Sequence, residues 1–188
     1  MNYAELLRNR RAIREYEDKS VPPETVEAIL KESCLAPSSG NRQEWRFILV
    51  NNRKWIKKIS DESKRNKLKE IEVNPATYMS KYKEELMNEQ FNVFYNAPTL
   101  ILILSPKDNP TLWVDGALFA SYIMFSAAER GLGTCWIGLG NDIQDPGLKK
   151  ELGITEDLQL IAPVILGYPR EIPPIPERND PQILKVIT

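Results

Sequence analysis

The sequence predicts an α+β domain in which helices cover a mostly antiparallel sheet and an extended arm closes the chain. Three observations carry that expectation. Residues 99–104 (Thr-Leu-Ile-Leu-Ile-Leu) form a continuous apolar run, short enough to be a strand buried on both faces. The elements come in the order helices, strand, helices, strand, long helix, strand, which is not regular βαβ winding. Finally, residues 167–188 hold Pro169, Pro173, Pro174, Pro176 and Pro181, so most of that stretch cannot be helical and suits an extended arm.

Taken in order, residues 3–16 suggest a first helix, with Tyr3, Leu6, Leu7 and Ile13 at helical intervals. Pro22-Pro23-Glu24 opens a second, since proline suits a first turn and a carboxylate complements the helix dipole there. Its apolar stripe is Val26, Ile29, Leu30, Ser33 and Cys34, and Pro37 closes it. A strand follows at 46–50. Trp55, Ile56 and Ile59 mark a short amphipathic helix, the Lys-rich residues 61–75 read as a solvated helix or loop, and a further helix is expected from Ala76 to Phe94. Residues 112–130 are apolar nearly all round, which places that helix in a core or at a subunit interface. Gly131-Leu-Gly133 ends it. A last strand spans 159–166, and Pro163, which deletes one ladder donor, puts it at an edge or gives it a bulge.

Composition narrows the chemistry. At 188 residues the chain is one domain by size, residues 1–188, with the arm at 167–188. A net charge of -1 leaves no electrostatic footprint for nucleic acid or an anionic membrane. There is no apolar stretch of signal-peptide length at the N-terminus and no run long enough to span a bilayer, so a cytoplasmic location is expected. The absence of histidine is more decisive. It removes every Ser-His or Cys-His nucleophile and the commonest transition-metal ligand, so catalysis would draw its chemistry from a bound cofactor. Cys34 and Cys135 cannot hold a metal centre unaided, and both read as small buried hydrophobes.

Three segments concentrate groups that bind ligands. Arg10, Arg11 and Arg14 form a basic cluster, and on a helix Arg10 and Arg14 would share a face; guanidinium forks match phosphate oxygens bidentately. Its bland alternative is a solvated basic face. The loop Pro37-Ser-Ser-Gly-Asn-Arg-Gln43 is dense in hydrogen-bonding groups between a helix and a strand, although turns use the same residues. Gly131-Leu-Gly-Thr-Cys-Trp-Ile-Gly-Leu-Gly140 is glycine-rich, but it follows a helix where a dinucleotide fingerprint follows a strand.

In this order and spacing these segments resemble the FMN-dependent nitroreductase family. Arg10-Arg-Ala-Ile-Arg14 is similar to its phosphate motif, Ala36-Pro-Ser-Ser-Gly-Asn-Arg-Gln43 with Trp45 to its flavin-contacting loop, and Gly131–Gly138 to the segment that packs on the flavin ring. Gly167-Tyr-Pro169 with Arg178 is similar to its C-terminal signature, so the resemblance covers essentially the whole chain. It implies a homodimer with two FMN sites at the interface, the long apolar helix at the dimer core and the arm exchanged with the partner. By residue it implies phosphate binding by Arg10, Arg14 and Arg178 with Arg11 alongside. It implies ribityl and ring-edge contacts from Pro37, Ser38, Ser39, Asn41 and Gln43, and backbone near the ring from Ile137 and Gly138. No catalytic side chain and no metal is implied. The implied activity is ping-pong hydride transfer from NAD(P)H through flavin to nitro compounds, quinones or a similar acceptor. Other flavoenzymes of this fold (flavin-fragmenting, dehalogenating or enoate-reducing), a flavin storage or sensor module, and a non-flavin interaction protein stay open on these residues. Two positions depart from the family pattern. Ala12 stands where a Ser or Thr is usual, which costs ~0.5–1.5 kcal/mol of hydrogen bonding. Glu44 stands where many members have proline; a carboxylate there could repel an anionic substrate or simply face solvent, and the latter is the expectation.

Overall fold

The computed structural model describes residues 2–188. Four strands make one antiparallel sheet in the order β1-β2-β4-β3: β1 is Arg46–Val50, β2 Thr99–Pro106, β3 Gly133–Trp136 and β4 Leu158–Gly167. The two long apolar runs lie at its centre. Side chains alternate across a strand, so β2 sends Leu100, Leu102 and Leu104 to one face and Ile101 and Ile103 to the other, and both faces are covered. That is why the run reads as continuous rather than alternating.

Helix α2 (Pro23–Ser33) and helix α5 (Leu112–Glu129) cover one face, where Val26, Ile29, Phe119, Ala120 and Ile123 meet Ile101, Ile103 and Val164. Helix α3 (Arg53–Val73) and the 86–97 segment cover the other, where Ile56, Ile59, Leu86 and Phe94 meet Leu100, Leu102 and Ile165. The remaining helices are short: α1 (Tyr3–Asn9), α4 (Lys83–Met87) and α6 (Pro146–Leu152). Among the described residues no helix is long and apolar enough to cross a membrane.

Several local expectations are corrected. The first helix stops at Asn9, not at residue 16; its start is fixed by a reciprocal cap between Asn2 and Glu5. Beyond it the Ile13 N–H donates to Thr134 O at 2.9 Å, Ala12 bridges Thr134, and Tyr16 bridges Pro169. Pairing with the sheet and burial of Ile13 and Tyr16 outweigh helix propensity there. Residues 61–75 are not a solvated appendage. They are helical as far as Val73, continuing α3, and Glu62, Ser63, Lys64 and Asn66 are buried. The helix expected over 76–94 is a 3₁₀ turn (Tyr78–Tyr82), the short α4 and a run of turns in which Tyr95 and Asn96 take φ of 52° and 53°. β3 and α6 are additional elements. β4 is central rather than an edge strand, and the bulge that Pro163 foretold lies beside it, where Ile103 and Leu104 pair with Ala162 and Leu160 and leave Ile161 extra. Pro163 O accepts from Ile137 N at 2.9 Å just past the end of β3, so the missing N–H falls where that ladder ends. Cys34 is exposed rather than buried; Cys135 is buried.

Candidate functional site

The basic cluster is built on an extended segment laid along β3. Residue 10 has ψ of 127° and Ile13 is buried between the exposed Ala12 and Arg14, so Arg10 and Arg14 share a face through a two-residue repeat rather than a helical one. Gly133 makes the fit possible. A Cβ there would lie 2.6–2.9 Å from Ile13 Cγ1, Cβ and Cγ2, closer than atoms can approach. Tyr16 pins the far end: its hydroxyl donates to Ile13 O at 2.8 Å, and burial pushes its pKa far above the ordinary phenol range, keeping it a neutral donor.

Two cavities open on this segment. One, of about 330 Å³, is lined by Arg10, Arg11, Ile13, the Gly131–Thr134 stretch, Pro169 and Ile172. In it Arg11 donates to Arg10 O at 2.5 Å, while Arg11 Nε is buried without a hydrogen-bond partner. A buried cationic donor left unpaired is costly unless an anion satisfies it. The second cavity, of about 200 Å³, gathers Arg14, Ile137 and Gly138 with Tyr78, Met79, Tyr82, Tyr95, Trp136 and Leu139. Arg14 stands 5.7 Å from the centre of the Tyr95 ring. A Cβ on Gly138 would meet nothing within 4 Å, so that surface is open to a flat group from outside the chain. Four extended residues span about 13 Å, which separates a phosphate-matching end at Arg10 and Arg11 from an aromatic end at Arg14 and Gly138. Such a donor set fits a group with a phosphate at one end and a planar ring at the other. Behind the site, burial pushes the Cys135 thiol up despite the nearby Arg14 and Arg10 charges, so it is a neutral packing residue.

The segment after Gly138 is held from below by α3. Glu62 accepts from Asn66 Nδ2 (2.8 Å), from the backbone N–H groups of Gln144 and Asp145 (3.3 and 2.9 Å), and from Arg65. Burial alone would raise the Glu62 carboxyl, but these donors outweigh it and bring it down to about 2. Asn66 and Ser63 also donate to Asp142 O.

The polar loop lies elsewhere. Ser38 Oγ accepts from Gln43 N, Gln43 Nε2 donates to Asn41 Oδ1 at 2.9 Å, and Gly40, Asn41 and Gln43 all take φ near 55°. Three left-handed residues in four make a strained, preformed loop. Ser39 N donates to Asp115 Oδ1 at the start of α5, whereas Arg10 Nη1 lies 4.0 Å from Met124 Sδ further along it. Residues 115 and 124 are about 14 Å apart on the helix axis. Neither arginine cavity is lined by any residue of 37–43. Arg178 is exposed on the arm, apart from both. Glu44 does not simply face solvent: it is half-buried, 3.7 Å from Arg42. Nothing in the sequence points to Tyr78, Met79, Tyr82 and Tyr95 beyond the four-residue spacing of the first and third.

One face of α5 is exposed and apolar, with Trp113, Val114, Leu118 and Tyr122, and the arm exposes Ile172, Ile175, Ile183, Leu184, Val186 and Ile187. Patches of this kind mark protein contact surfaces.

Comparison with known proteins accords with this arrangement. A protein of Methanothermobacter thermautotrophicus, whose name, NADH dehydrogenase/NAD(P)H nitroreductase, is itself provisional, is 30% identical over 187 residues, covering 96% of this chain and 84% of the relative. An iodotyrosine deiodinase of Thermotoga neapolitana is 25% identical over 183 residues, covering 94% and 93%. The crystal structure of a nitroreductase with bound FMN from Bacteroides fragilis superposes with a TM-score of 0.81 at 24% identity over 100% of both chains, which establishes the fold. The family model described as the nitroreductase family matches residues 7–168, and the chain belongs to that family.

Proposed function

We propose that the protein is an FMN-dependent oxidoreductase that uses NAD(P)H to reduce a nitro compound, a quinone or a similar small acceptor. The observation that carries the reading is the pairing of a phosphate-matching cavity at Arg10 and Arg11 with an open, aromatic surface at Gly138, on one extended segment of a nitroreductase-family chain. FMN would supply hydride acceptance from the nicotinamide and its return to a second substrate, the two using one face in ping-pong order. The chain's own part is binding and exclusion. Arg10 and Arg11 neutralise and orient the phosphate, and the unpaired Arg11 Nε gains its missing acceptor. Ala12 presents no hydroxyl, so the anchorage leans on the guanidinium groups. Arg14 with Ile137 and Gly138 borders the ring, and Gly138 lets it lie close to backbone.

The loop residues Pro37, Ser38, Ser39, Asn41 and Gln43 enter this reading through a second copy. Within one chain they sit at the opposite end of α5 from Arg10. A two-fold pairing of the exposed α5 faces would bring each loop to the partner's arginines, with the arm and Arg178 laid across the neighbour. The Gln43 amide is then the candidate partner for the ring edge. A homodimer with two shared sites therefore belongs to the same reading.

The test is the absorption spectrum of the purified protein before and after anaerobic NADH or NADPH. A visible flavin band that bleaches supports the reductase. A band that persists favours a flavin store or sensor, and a colourless protein that ignores added FMN removes the flavin reading. Because a deiodinase is among the relatives, halogenated phenols belong in the acceptor screen beside nitroaromatics and quinones.

A further inference from the structure

The wall of the aromatic cavity is a turn that the flavin reading does not use. Tyr78, Met79 and Tyr82 line the cavity from that turn, together with Tyr95 and Trp136 from other segments. The turn is built firmly: Ser80 Oγ donates to Pro75 O at 2.7 Å, Ser80 N to Thr77 O at 3.0 Å, and Thr77 Oγ1 to Glu70 at 2.9 Å. On it Lys81 Nζ lies 3.7 Å from the centre of the Tyr78 ring and 4.8 Å from that of Tyr82, and donates to the Tyr78 hydroxyl. The cavity therefore joins four aromatic rings to one lining cation, Arg14, with no carboxylate in its lining, and a second cation, Lys81, lies just outside it against the Tyr78 and Tyr82 rings. Glu70, the acid that touches the turn, is already paired with Lys67 and Thr77.

Resting on the flavin reading above, we propose that the Tyr78–Tyr82 turn recognises the electron acceptor, and that Lys81 selects aromatic acceptors bearing an anionic group such as a ring carboxylate. The rings supply a slot for a planar substrate, since aromatic pairs favour offset or edge contacts at such spacings. Lys81, exposed beside the two tyrosine rings and donating to the Tyr78 hydroxyl, supplies a cationic donor next to the slot that a carboxylate could reach without displacing a buried partner. Lys81 is a specificity-determining residue here: it touches the substituent, not the reacting atoms.

Non-reducible probes separate recognition from turnover. Benzoate and benzamide are nearly the same shape and differ in charge, and their binding to the FMN-loaded, oxidised protein is measured by titration calorimetry. Benzoate is expected to bind more tightly than benzamide, and added salt should narrow the difference. In Lys81→Met the benzoate constant should weaken about fivefold, the scale of an exposed ion pair, with benzamide unmoved. In Tyr82→Leu both probes should weaken together. Equal binding of the two probes by the unaltered protein, or a benzoate preference that survives Lys81→Met, overturns the assignment while leaving the flavin reading intact. Failure of the unaltered protein to take up FMN at all overturns the flavin reading instead.

Discussion

Arg10 and Glu62 illustrate two ways in which one charged group shapes this site. Arg10 lines the cavity directly, so Arg10→Ala should weaken FMN binding by about 1.5–3 kcal/mol, the loss of a charged hydrogen bond. Fluorescence titration of the apoprotein with FMN measures it, and an unchanged dissociation constant removes Arg10 from the phosphate role. Glu62 acts at a distance by gathering the backbone N–H groups of Gln144 and Asp145. Its folded carboxyl is depressed from 4.5 to about 2, so its contribution is fully present above the ordinary carboxylate range and fades as pH falls toward 2. Glu62→Gln should therefore cost about 2–3 kcal/mol of stability at neutral pH. The cost should shrink toward zero in strong acid, where the native residue is itself neutral. Denaturant unfolding of both proteins across that range gives the difference directly, and a penalty independent of pH would mean the carboxylate charge is not what matters. Glu62 was illegible in the sequence, where it reads as one more charge in a Lys-rich stretch; only the packing of α3 against residues 142–145 shows that it points inward.

At the scale of elements, the close approach of residues 10–14 to β3 is the feature on which the site depends. The Gly133 methyl position is already filled by the branched atoms of Ile13, which cannot swing away as the tip of a long side chain would. Gly133→Ala should cost about 1–3 kcal/mol of stability, as overpacking does, and should also lower FMN affinity by pushing the arginines off the strand. Thermal unfolding and FMN titration read the two effects. Loss of stability with undiminished affinity would show that the segment tolerates displacement. Apolar runs and proline placement disclosed the strands at 46–50, 99–106 and 158–167, because those signals are local. The arginine segment reads as helix in the sequence because its conformation is set by pairing with Thr134 and Pro169, more than a hundred residues away. β3 leaves no mark in the sequence because its four residues carry no periodicity of their own. The motif residues were legible as types, yet their grouping into two cavities was not, since Tyr78, Tyr82 and Tyr95 reach the second through turns with little pattern.

For the whole molecule, the exposed apolar arm and the bare face of α5 both ask for a partner surface. Deleting residues 171–188 removes Ile172, Ile175, Ile183, Leu184, Val186 and Ile187, and should shift the protein toward monomer and lower its FMN content together. Light scattering with flavin quantitation checks this; a truncated dimer with full FMN would confine the arm to a passive role. On the proposed function, each flavin site is assembled from the arginines of one chain and the loop of another. Complementation between two variants reads out that sharing. One variant carries Arg10→Ala and Arg14→Ala, another Asn41→Ala and Gln43→Ala, and the two are mixed, unfolded and refolded together. Random assortment makes about half the dimers mixed, each with one intact site, so bound FMN should recover to about a quarter of the unaltered level. FMN content that stays at the level of the separate variants would contradict a site shared between chains.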